Sequence, residues 1–207
     1  MERKSGVLLH VSSLWGDFSC GSFGASAKEF IDFLSRGGFS YWQVLPFGIV
    51  DECNSPYKSY STFGGNPYFV DLEALHKQGL LTQSELNSAK QKTPYSCEFD
   101  RLREERADLL ITASKRVDTA LREKINAFKD DNRYLKEFCC FIALKEKNSQ
   151  KEWTEWTENK YDTEFEFGWR FIQYMFFTQW AEIKKYANEK GIGIIGDIPI
   201  YVAMDSA

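Results

Sequence analysis

The chain has 207 residues, 43% hydrophobic and 27% charged, with a formal net charge of −4. That length supports one sizeable core but falls short of the about 250 residues of a complete (β/α)8 barrel. The mildly acidic balance, with no basic stripe, argues against nucleic acid as a partner, and no run approaches the roughly 20 apolar residues of a membrane span.

In chain order, the run Gly6-Val7-Leu8-Leu9-His10-Val11 reads as a first buried strand. Phe23, Ala27, Phe30, Ile31 and Leu34 then share one helical face; Ser26 with Glu29 suggests a capping box, and Gly37-Gly38 ends the helix. Tyr41 to Pro46 follows as a second strand, which makes a unit of βαβ size. Residues 47–71 are rich in Gly, Ser, Asn, Pro and Tyr without helical period, and are expected to be a long ordered loop. Thr82-Gln83-Ser84-Glu85 is a capping-box start. One long amphipathic stretch carries Leu102, Leu109, Ala113, Val117, Leu121 and Phe128, and a further helix is expected from Tyr134 to Lys147. Those helices are expected to bury their stripes on each other as a subdomain. A last helix, Glu164 to Glu189, places Trp169, Ile172, Phe176, Trp180 and Ile183 on one face before Gly191 stops it.

The third strand, Gly191 to Tyr201, delivers Asp197 and needs neighbours that the sequence does not supply. The fold class predicted is therefore α/β: the first three strands of an incomplete (β/α)8 TIM barrel, with a helical insertion between the second and third. The organisation expected is 1–74 for two strands and a binding loop, 75–160 for the helical insertion, and 161–207 for the last helix and third strand.

Ligand sites of parallel α/β barrels form at the carboxyl ends of the strands. His10, Ser12 and Ser13 follow the first strand; Asn54-Ser55-Pro56-Tyr57-Lys58-Ser59-Tyr60-Ser61 follows the second; Asp197, Tyr201 and Asp205 follow the third. Hydroxyls, an amide, rings and carboxylates suit a carbohydrate, which offers hydroxyl networks and flat C–H faces. Each has a plainer use. His10 serves equally as a packing residue, Ser55-Pro56-Tyr57 as a turn, Asp197 as a strand cap and Asp205 as a helix N-cap. The five cysteines are scattered without a C-x-x-C pair, so no zinc knuckle or disulfide framework is expected, and reduced thiols fit the cytoplasm. The basic start is followed by too short an apolar run, interrupted by His10, for a signal peptide.

The segments Ser5 to His10, Trp42 to Pro46, Ser55-Pro56-Tyr57-Lys58-Ser59 with Gly65-Asn66-Pro67, and Gly196 to Ala203 with Asp205-Ser206-Ala207 resemble the 4-α-glucanotransferases, or amylomaltases, end to end and in order. The resemblance implies transfer of a 1,4-α-glucan segment to the 4-hydroxyl of a glucan or glucose acceptor. The chemistry implied is retaining, with nucleophile and acid/base carboxyls about 5–5.5 Å apart. In complete members these carboxylates lie beyond the motif at the end of this chain, so no catalytic residue is expected here. The substrate-binding set implied is Ser55, Tyr57, Asp205, Asp197, His10 and Asn66, with maltooligosaccharides and α-1,4-glucans as partners and no cofactor or metal. Lys58 stands where many members carry Gln, and Glu52 where some carry a stacking Tyr. Two rivals remain, a non-catalytic glucan-binding fragment and a structural α/β domain. Open sheet edges predict self-association.

Overall fold

The computed structural model describes residues 3–50 and 53–207. Its strands are β1 (Gly6–Leu8), β2 (Tyr41–Gln43), β3 (Lys58–Ser59), β4 (Gly193–Ile195) and β5 (Tyr201–Val202). Three of them form a parallel sheet in the order β1-β2-β4, with Val7, Trp42 and Ile194 in one row and Leu8, Gln43 and Ile195 in the next. Successive side chains of a strand point to opposite faces. The Val7-Trp42-Ile194 row accordingly joins the core, and the Trp42 indole, fully buried, donates to Leu9 O at 2.7 Å. Leu8 and Ile195 on the other face remain 56% and 42% exposed.

The helices are α1 (Ala25–Arg36), α2 (Leu72–Lys77), α3 (Gln83–Ser88), α4 (Phe99–Ser114), α5 (Thr119–Asp131), α6 (Arg133–Lys147) and α7 (Thr163–Glu189). In α1, Ala27, Phe30, Ile31 and Leu34 are buried as the period requires. Its N-cap, however, is Gly24; Ser26 is buried inside the first turn, so the capping box expected at Ser26 and Glu29 does not form. A Cβ on Gly24 would lie 2.7 Å from the Asp71 carboxyl carbon, so the close approach of Asp71 favours glycine at this N-cap. At the other end Gly38 takes φ +73°, a conformation that favours glycine. The Thr82/Glu85 capping box of α3 is present in both directions.

The long amphipathic stretch is two helices. Asp118 accepts from Leu121 N at 2.7 Å, and this N-cap starts α5 after a break at 115–118. Nor do the helices bury their stripes only on each other: α4, α5 and α6 all pack on α7, as does α1. Residues Phe167, Phe171, Ile172, Met175, Phe176, Ile183 and Ala187 of α7 are buried. One hydrophobic cluster therefore runs from Val11 to Ile192. Gly191, at φ +77°, turns α7 into β4.

Candidate functional site

The carboxyl ends of β1, β2 and β4 bring His10, the loop after Pro46, and Asp197 to one end of the sheet. The loop is held by two antiparallel bridges, Gly48 to Gly65 and Val50 to Ser59. A strand pair that the sequence reading lacks, β3 with β5, joins it to the segment after β4. Within the loop, Ser59 Oγ donates to Ser61 O at 2.9 Å, and Ser61 Oγ accepts from Phe63 N and Gly64 N, both at 3.2 Å. These short Ser-to-backbone bonds replace a regular ladder.

What fixes the loop to the body is α7. Gln173, 1% exposed, accepts from Gly65 N at 2.7 Å and donates to Gly65 O at 3.0 Å. Six residues on, Gln179 treats Asp71 the same way, with bonds of 2.8 and 3.4 Å. Each glutamine presents its amide as a backbone substitute, pairing one residue's donor and acceptor together. The approach is close enough that a Cβ on Gly65 would meet the Phe176 ring at 2.4 Å and one on Gly64 the Phe138 ring at 2.7 Å.

Tyr57 Oη donates to Asp197 Oδ2 at 2.8 Å, bridging the loop to the end of β4. That bond to the carboxylate holds the phenol above its ordinary range. Asp197 is exposed and also accepts from Ile198 N at 2.8 Å. Ser55 Oγ accepts weakly from Tyr57 N at 3.4 Å, which is turn chemistry, and Asn54 beside it takes φ +56°. Near the bridge lies a cavity of about 160 Å³ lined by Phe47, Gly64, Phe177, Trp180 and Asp197 among others.

His10 packs its ring on Phe47 and against the edge of Phe69, with centroids 5.5 and 5.2 Å away. Its Nδ1 accepts from Leu45 N at 3.3 Å, so in the neutral ring the proton sits on Nε2. Burial lowers its pKa to about 4, which keeps it neutral at pH 7. Asn66, 1% exposed, caps the short 3-10 turn Pro67–Phe69 by accepting from Tyr68 N at 3.0 Å, and donates to Gly48 O at 3.2 Å. Its amide holds the loop in shape. Asp205 pairs with Lys145 Nζ, accepts from Trp153 N at 3.0 Å, and its side chain is only 14% exposed. Lys145 also donates to Lys151 O at 3.1 Å and lies 5.2 Å from the Tyr60 ring centroid. Glu52 lies outside the described residues. The sequence reading missed Gln173, Gln179 and Lys145; a polar residue on an otherwise apolar helical face was the available signal for all three.

The site is thus a polar and aromatic surface at the strand ends of a parallel α/β sheet, the class of arrangement in which small-molecule and sugar enzymes place their binding loops. A family model described as 4-alpha-glucanotransferase matches residues 9–207. The chain is 38% identical to the 4-alpha-glucanotransferase of Clostridium butyricum, aligning 96% of this chain with 44% of that protein. With that of Streptococcus pneumoniae it is 39% identical, over 100% of this chain and 44% of the relative. A solved amylomaltase from Streptococcus agalactiae in complex with acarbose superposes with a TM-score of 0.91 at 33% identity, covering 99% of this chain and 45% of that one. The chain belongs to the 4-alpha-glucanotransferase family, and it spans about 44% of the length of the curated relatives it matches.

Proposed function

We propose that this chain is an amino-terminal portion of a 4-α-glucanotransferase and supplies the donor-side glucan surface of that enzyme. In this reading β1, β2 and β4 are the first three strands of a (β/α)8 barrel, residues 75–160 are a helical insertion, and 1–74 and 161–207 are barrel. The whole protein moves a segment of 1,4-α-glucan to the 4-hydroxyl of an acceptor through a covalent glycosyl-enzyme. Its nucleophile and acid/base come from sequence beyond the Asp197 and Asp205 motif. Ser55, Tyr57, Asp197 and Asp205 present hydroxyl and carboxylate groups to sugar hydroxyls. His10 offers its Nε2–H, and Asn66 shapes the loop. No cofactor is invoked, and the protein acts in the cytoplasm on maltooligosaccharides, apart from nucleic acid and membranes.

The observation that carries this reading is the Tyr57–Asp197 bond, which joins the loop after β2 to the end of β4 and sets a ring beside a carboxylate. The test has two arms. The isolated chain, incubated with maltotriose, is expected to release no glucose and form no longer oligomers; turnover above a no-protein blank overturns the reading. In a full-length enzyme carrying this sequence, Tyr57→Ala is expected to lower the transfer rate far more than it lowers the melting temperature. A collapsed melting point with an unchanged rate per folded molecule makes Tyr57 a packing residue instead. The exposed apolar side chains Leu8, Ile195, Ile198, Ile200 and Met204 further support self-association of the isolated chain, read by light scattering.

A further inference from the structure

The turn that follows α6 reaches the segment after β5. Asn148, 6% exposed, donates to Leu144 O at 2.9 Å and to Glu158 O at 3.0 Å, and accepts from Thr157 N and Glu158 N, both at 3.0 Å. These bonds close residues 148–158 into a tight loop. Within it Ser149 and Gln150 take φ +55° and +61°, two successive left-handed residues without a glycine, a conformation that costs energy and persists only where the surroundings enforce it. The reversal brings Lys151 O to 3.1 Å from Lys145 Nζ and Trp153 onto the segment after β5. There Lys145 Nζ meets Asp205 Oδ2, Trp153 N donates to Asp205 Oδ1 at 3.0 Å, and the Trp153 indole donates to Met204 O at 3.2 Å. The same segment is tied to the loop after β2, because Ser59 O accepts from Ala203 N at 3.4 Å and Tyr60 O from Ala207 N at 2.9 Å. Residues 203–207 are thus held jointly by that loop and by the turn after α6.

We propose that Lys145 is a positioning residue for the Asp205 carboxylate, and that through it the helical insertion sets the sugar-binding geometry after β5. This rests on the reading of Asp205 as a sugar contact given above. An ionised carboxylate has about four acceptor positions. The Lys145 ammonium takes one on Oδ2 and Trp153 N one on Oδ1, which fixes the plane and direction of the group and leaves its other positions for ligand hydroxyls. The pair is nearly closed off from water, with the Lys145 side chain 6% and that of Asp205 14% exposed, and Asp205 is the one carboxylate paired with Lys145 among the described residues. Removing one partner of such a pair leaves an uncompensated charge out of water. Without Lys145 the Asp205 carboxylate gains by turning toward solvent, which gives up its direction and its bond to Trp153 N. A substrate held about 1 Å out of place loses rate steeply. Lys145 therefore acts through Asp205, without needing to touch the glucan.

The experiment has two arms. In this chain, hydrogen exchange is read at the Trp153 amide, which donates to Asp205. Lys145→Met keeps most of the apolar stem and removes the charge; the Trp153 amide is expected to exchange about tenfold faster or more while the earlier amides of α6 keep their protection. In a full-length enzyme carrying this sequence, Lys145→Met is expected to lower kcat/KM for transfer from maltotriose about tenfold, and Asp205→Asn at least as much. The double variant is expected to fall no further than Asp205→Asn alone, because both changes remove the same carboxylate geometry. Trp153→Phe, which keeps a ring and loses the indole bond to Met204 O, is expected to lower kcat/KM about threefold, and it carries the test if Lys145→Met does not fold. An unchanged Trp153 amide in Lys145→Met overturns the proposal. So do losses that multiply in the double variant, or a lower melting temperature with unchanged kcat/KM per folded molecule. An Asp205→Asn enzyme as active as the wild type removes Asp205 as a sugar contact and the positioning role with it, while a wild-type enzyme without transfer activity fails the functional reading itself.

Discussion

Replacing Gln173 by leucine keeps the volume of the side chain and removes both of its hydrogen bonds to Gly65. The Gly65 N–H and C=O are buried with the rest of that residue, and an orphaned buried polar group costs about 1–3 kcal/mol. If both stayed dry the loss would be about 2–6 kcal/mol, a large share of the about 5–15 kcal/mol that stabilises a domain. Letting the loop lift from α7 and hydrate costs less than keeping two such groups dry. Gln173→Leu is therefore expected to act locally: the amides of Gly64 and Gly65 lose hydrogen-exchange protection by about 2–3 kcal/mol while the amides of α7 keep most of theirs. Native-state hydrogen exchange with urea denaturation reads both quantities. A variant that loses less than about 0.5 kcal/mol, with Gly65 as well protected as before, would refute the assignment of the loop's attachment to this glutamine.

Gly65→Ala drives a Cβ to 2.4 Å from the buried Phe176 ring, and overpacking of this kind is expected to cost about 1–3 kcal/mol. Gly196→Ala, with nothing within 4 Å of the new carbon, is the control, and equal melting temperatures for the two variants count against the packing argument. For His10, the folded pKa of about 4 lies below the ordinary 6.5, so the unfolded chain binds the proton first as pH falls. Its contribution is whole above pH 6.5 and is lost on descending to about 4; the shift caps it at about 3 kcal/mol. His10→Gln should flatten the wild-type stability profile between those pH values, and an unchanged slope in urea titrations would remove His10 as the cause. Asp118→Ala should destabilise the chain by about 1 kcal/mol through its N-cap, measured by the denaturation midpoint, and a neutral result would mean that packing on α7 alone sets the start of α5.

By itself the sequence determined what is local. The 3.6-residue period of α1 and α7, the Thr82/Glu85 box, and the glycines that end α1 and α7 were legible because each depends on residues a few positions apart. The existence and order of the three parallel strands were legible in the same way, but not their ends: the third, read from Gly191 to Tyr201, stops at Ile195, and Tyr201 belongs to a separate short strand paired with β3. The tertiary structure decided which groups meet. Ser26 was a plausible cap, yet the helix is capped two residues earlier, at Gly24, and buries Ser26 in its first turn. The helices expected to pack on one another also share α7, since an apolar stripe specifies that it will be buried and not against what. Gln173 with Gly65, Lys145 with Asp205, and Arg106 with Tyr68 are polar partnerships between segments far apart in the chain. No periodicity encodes them, because a buried polar group chooses its partner by geometry that exists only once the elements have packed.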